Sequence, residues 1–168
     1  MIYFIRHAQS EANKKGIYAG SLNSPLTSGG ISRFRAFSRR NEKVFGKIYV
    51  SQLSRSIESG RIFQSEQSYD SVLLIDPRAN ELNFGKLAGR PYISLDSQHI
   101  YDEYDIESKE AFYNRVKNFY DDIRYDENDA LIIGHAGVAK MLQTIINDKP
   151  IEDYNKAKLI SAYEIYQL

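Results

Sequence analysis

Five short apolar runs, IYFI (2–5), KIYVS (47–51), VLLID (72–76), ALIIG (130–134) and AYEIYQL (162–168), constrain this chain more than any other feature. The middle runs are continuous rather than alternating, the pattern of strands covered on both faces. Helical periods lie between them. Thr27 is placed to cap a helix running through Phe37, and a second helix spans about Leu53 to Gln64 with Leu53, Ile57 and Ile62 or Phe63 on its apolar side. In ESKEAFYNRVKNFYDDI (107–123), Phe112, Val116, Phe119, Tyr120 and Ile123 form a long amphipathic stripe. Val138, Met141, Leu142, Ile145 and Ile146 mark a last helix after Gly137. Alternating strands and helices predict an α/β fold: a three-layer α/β/α sandwich on a mostly parallel central sheet. The 168 residues suit one core, and no repeat or linker divides them, so residues 1–168 are expected to form a single domain.

One segment breaks the rhythm. GRPYISLDSQHIYDEYDI (89–106) has Pro91, no sustained period and the acids Asp96, Asp102, Glu103 and Asp105. It reads as an irregular insertion, either a short lid over a site or a solvated surface loop. As a lid, its acids would disfavour substrates with a second anionic group and favour neutral or cationic leaving alcohols.

Composition narrows the function classes. The 22 basic and 22 acidic side chains cancel, so an extended nucleic-acid or anionic-membrane surface is not expected, and anion recognition must come from a few placed cations. The absence of cysteine excludes disulfides and thiolate chemistry. The N-terminal run is too short for a signal peptide and no run reaches a membrane span, so a cytoplasmic protein is expected. Monomer and dimer stay equally open.

In a parallel α/β sheet, ligands bind beyond the carboxyl ends of the strands. Polar clusters fall at such ends: Arg6-His7, SQLSRS (51–56) and GHAG (134–137), with NEL (80–82) a few residues past the third run. Two histidines, two arginines and the backbone amides of helix starts make a cationic pocket suited to a phosphoryl group. A neutral imidazole facing it can attack phosphorus to give a phosphohistidine, and Glu81 is the natural proton donor to the leaving alkoxide. Taken singly, these residues have plainer readings: a packed histidine, a solvated arginine among capping serines, a loop acid, and Asn13 as a helix cap.

The string RHAQSEAN resembles the N-terminal signature of the histidine phosphatase superfamily, the group that includes cofactor-dependent phosphoglycerate mutases. NSPLTSGG, SQLSRSIES, NELNFGKLAG and IIGHAGV resemble its later motifs, in family order. The resemblance implies His7 as nucleophile, and Arg6, Asn13, Arg55 and His135 as holders of the phosphoryl group. It implies Glu81 as general acid and then base, Gly20 and Ala136 as substrate-side backbone positions, and neither metal nor cofactor. Ala8 and Ala136 stand where the family usually has glycine, and a positive φ at either would strain alanine.

Members of this family divide mainly into phosphatases and mutases. The short 89–106 segment with Arg90 as its one cation, Ala19 in place of a serine and Tyr92 in place of a lysine resemble the small phosphatases, including those acting on ribazole phosphate. The expected activity is hydrolysis of a small phosphomonoester. A phosphoglycerate mutase-type transferase, a protein-phosphohistidine phosphatase and a non-catalytic phosphate-binding protein remain as alternatives. His99 matches no motif, and the basic run SRFRAFSRR (32–40) reads as a solvated helix face.

Overall fold

The structure is a computed structural model that describes residues 1–95, 97–126 and 129–168. Five strands form one sheet: β1 (Ile2–Arg6), β2 (Lys47–Val50), β3 (Val72–Ile75), β4 (Ala130–Gly134) and β5 (Tyr166–Gln167). Their order is β3-β2-β4-β1-β5, parallel except for β5. The central strands are buried on both faces, which explains their unbroken apolar runs. Ile2, Phe4, Ala130 and Ile132 belong to one core cluster, and Tyr3, Ile5, Leu131 and Ile133 to the other.

Helices α2 (Ser28–Arg39) and α3 (Ser54–Ser65) cover the second cluster with Phe34, Ile62 and Phe63. Helices α5 (Lys109–Ile123) and α6 (Ala136–Ile146) cover the first with Phe112, Val116, Phe119, Val138 and Met141. The α/β/α sandwich is thus present. Thr27 caps α2, its Oγ1 accepting the Gly30 N–H at 2.9 Å. No helix among the described residues is long and apolar enough to cross a membrane.

Three expectations change in detail. The last apolar run pairs over only Tyr166–Gln167, antiparallel to Tyr3 and Phe4, because the preceding residues cross the end of β1, where Ser161 O meets the Arg6 N–H. The last helix starts at Ala136, before Gly137, which places His135 at the strand-to-helix junction. Residues 89–106 are not irregular throughout. They hold α4 (Gln98–Glu103), and Tyr101 and Ile106 are buried in the first core cluster. Their start is stitched down by backbone bonds: Tyr18 N–H to Arg90 O, Gly89 N–H to Tyr18 O and Tyr92 N–H to Gly16 O. The described part of the segment packs onto the body of the fold. Asp96 lies outside the described residues.

Candidate active site

Strand register brings the two histidines together. Arg6 is level with Gly134 across β1 and β4, so the next residues, His7 and His135, emerge side by side, with ring centroids 5.1 Å apart. The His7 N–H extends the ladder to Gly134 O at 2.8 Å. Its ring Nδ1 lies 2.7 Å from Ala8 O, and a carbonyl only accepts, so Nδ1 carries the proton and Nε2 holds the lone pair. Burial, then Arg55 and Arg6, push the His7 pKa down to about 3, partly opposed by the Ala8 carbonyl. The same desolvation, with His7 and the nearby cations, holds His135 well below the usual histidine range. Both rings are neutral near pH 7.

The arginines are set differently. Arg55 is 2 % exposed and donates to Gly20 O at 2.7 Å and Leu22 O at 2.9 Å, so it is not a solvated side chain. The serines around it are buried connectors. Ser59 Oγ accepts the Ala8 N–H and donates to Arg55 O, while Ser56 Oγ accepts the Ser51 N–H and donates to Ile133 O. The Arg6 guanidinium faces the cavity and has no hydrogen-bond or ion-pair partner among the described residues.

Asn13 performs both roles the sequence allows. In the short helix α1 (Glu11–Lys15) it completes a capping box with Ser10, its Oδ1 accepting the Ser10 N–H at 3.1 Å. That bond fixes the amide, turning the Nδ2 donors away from Ser10, and Asn13 lines the cavity. The PLT element braces this loop: Glu11 N–H donates to Pro25 O and Thr27 N–H to Gln9 O, both at 2.9 Å.

Glu81 meets the site from the opposite element. Its Oε1 accepts the Leu82 N–H at 2.9 Å and its Oε2 the Gly137 N–H at 3.2 Å. A Cβ at position 137 would lie 2.3 Å from Oε1, so glycine is required for this approach. Ala8 and Ala136 impose no strain: positive φ among described non-glycine residues is confined to Asp105 and Asp148. Gly20 does use a positive φ, +50°, to present its carbonyl to Arg55.

Arg6, His7, Asn13, Gly20, Arg55, Glu81 and Ala136 line one cavity of about 320 Å³. His135 lies just beneath, fully buried; its Nε2 is 2.7 Å from Ser51 Oγ, and its Nδ1 has no protein partner. Every residue assigned from the sequence therefore gathers here. Several lining residues were not foreseen: Tyr18, Phe84, Leu95, Lys140, Tyr154, Asn155 and Leu159. Lys140 carried one legible signal, as a cation one turn past Ala136 on an otherwise apolar helix.

Behind the floor, Arg115 of α5 holds the Glu81 loop, donating to Arg78 O, Asn80 O and Glu81 O at 2.6–3.0 Å while pairing with Glu107 at 2.6 Å. Of the four acids expected around the mouth, Asp102, Glu103 and Asp105 stand away from the cavity, and Asp96 lies outside the described residues. Among the described residues of 89–106, Tyr92 and Leu95 line the cavity; Asp102 accepts from Gln98, Glu103 lies 3.8 Å from His99, and Asp105 pairs with Lys86. Among the described residues the charged lining is Arg6, Arg55 and Lys140 against Glu81, a cationic set in a chain of zero net charge.

This arrangement has counterparts. The family model for the histidine phosphatase superfamily (branch 1) matches residues 2–168, and the chain belongs to that superfamily. It is 28% identical over 170 residues to a Hydrogenobacter thermophilus protein named as a candidate phosphoserine phosphatase, covering 90% of this chain and 81% of the relative. It is 26% identical to the adenosylcobalamin/alpha-ribazole phosphatase of Salmonella typhimurium, covering 84% and 76%. Among solved structures, Bacillus stearothermophilus YhfR superposes with a TM-score of 0.84 over 98% of this chain and 88% of that one; at 21% identity the likeness is one of fold. Matching relatives include proteins named as phosphatases and as phosphoglycerate mutases.

Proposed function

We propose that this chain is a phosphomonoesterase that hydrolyses a small phosphorylated metabolite through a phosphohistidine on His7. The observation that carries the reading is the state of His7: neutral, Nδ1 committed to Ala8 O, and its Nε2 lone pair left for phosphorus. Nε2 attacks the phosphoryl group, the P–O bond to the alcohol breaks, and Glu81 delivers a proton to the leaving oxygen. Glu81 then takes a proton from water, whose oxygen attacks phosphorus and releases His7 and inorganic phosphate.

Charge on the phosphoryl oxygens is met by Arg6, Arg55 and the Asn13 amide. Ser51 Oγ already accepts the Leu53 N–H, so its hydroxyl proton is available to His135 Nε2. That leaves His135 with its proton on Nδ1, the unpartnered atom, to donate to the same group. Relatives carry both phosphatase and mutase names, so the choice of water as acceptor rests on the cavity. Among its described residues the 89–106 segment brings the cavity Tyr92 and Leu95 and no cation to grip a second phosphorylated substrate.

Hydrolysis of an aryl phosphate tests the reading. Wild type is expected to turn it over, and His7→Ala to lose about three orders of magnitude or more in kcat. Undiminished turnover by His7→Ala contradicts the covalent route.

A further inference from the structure

We propose that Lys140 and the aromatic wall beside it form a subsite for the leaving group, selecting phosphomonoesters whose alcohol carries an apolar body and a carboxylate. The inference rests on the phosphomonoesterase reading and adds a substrate class to it. The cavity is larger than a phosphoryl group needs, and what lies above the catalytic floor is chemically distinct. On one side Tyr18 packs against Phe84 at 4.4 Å and Tyr92 at 4.8 Å between ring centroids, with Leu95 adjoining. The Tyr18 hydroxyl is committed to the Ile93 backbone, donating to O at 2.6 Å and accepting from N at 3.2 Å, so this wall offers ring surface. Tyr154 and Leu159 line the cavity too.

Lys140 is the cation in this upper part. It follows Ala136 by one helical turn, on the same side of α6 and about 6 Å further along the axis. Its Nζ donates to Asn155 O at 3.1 Å, and among the described residues it has no carboxylate partner. A single ammonium without an arginine fork beside it matches one negative charge rather than a second phosphate. Among the described residues the carboxylate in the lining is Glu81, held at the floor by two backbone N–H groups.

Three esters of similar size decide the point: 4-carboxyphenyl phosphate, phenyl phosphate and 4-(aminomethyl)phenyl phosphate. Wild type is expected to favour the carboxylate over the neutral ester by about tenfold in kcat/KM and to disfavour the ammonium. In Lys140→Met the carboxylate-to-neutral ratio should fall to about one; Lys140→Arg should keep it and Lys140→Glu reverse it toward the ammonium ester. Comparing the same ratio between wild type and variant cancels intrinsic leaving-group differences, and the half-exposed position leaves folding undisturbed. A ratio unchanged by Lys140→Met, or a wild-type preference for the neutral or cationic ester, overturns the subsite. If wild type hydrolyses none of the three, the phosphomonoesterase reading fails instead, and calorimetric binding of the same esters to wild type and Lys140→Met still decides the subsite.

Discussion

At the scale of single residues, the site stores its reactivity in two neutral histidines. Folded His7 binds a proton only near pH 3, and His135 is likewise held well below its ordinary value, whereas unfolded histidines take up a proton below about pH 6.5. Between those limits the unfolded chain holds more protons, so stability falls as pH is lowered through the window. The slope is about 1.4 kcal/mol per pH unit for each histidine. Carboxylates such as Glu66, held low by Arg39 and Arg35, give way only at more acid pH, which leaves the histidine contribution readable above pH 5. Urea unfolding at pH 7, 6 and 5 should show this decline, with about half the slope in His7→Asn. A flat profile from pH 7 to 5 would contradict the buried neutral pair.

At the scale of elements, the placement of Glu81 rests on α5 although α5 contributes no side chain to the cavity. Arg115 ties three carbonyls of the Glu81 loop to Glu107, and Glu107 in turn accepts the Asn83 N–H. Arg115→Ala should lower kcat by about 10- to 100-fold with a smaller change in KM and an unchanged circular dichroism spectrum, while Arg115→Lys should recover part of the loss. Full kcat in Arg115→Ala would remove this positioning role. The amphipathic stripe of α5 was legible because Phe112, Val116, Phe119 and Ile123 repeat on one buried face; the work of Arg115 was not, since its partners are backbone carbonyls that no residue pattern announces. Residues 89–106 were misread for the same reason. Backbone bonds to residues 16–18 pin them, and α4 is too short to show a period.

At the scale of the whole molecule, one feature of topology assembles the site: β1 and β4 are parallel neighbours in matched register, so RHA and GHA end at the same edge. The motif residues carry their spacing in the sequence, and their convergence at that edge followed from reading the strands as parallel. The cavity above them did not follow, because Tyr18, Leu95, Lys140, Tyr154 and Leu159 come from separate elements with no shared motif. Among the described residues that upper wall carries Lys140 where acids were expected. The floor, by contrast, is built from the motif residues read in the sequence.

The most direct measurement is to quench the enzyme rapidly during turnover of an aryl phosphate and map any covalent adduct by mass spectrometry under alkaline conditions. The account predicts one phosphoryl group on His7, stable to base, lost in acid and absent from His7→Ala. Turnover with no adduct on His7, or with the phosphoryl group on another residue, would contradict it.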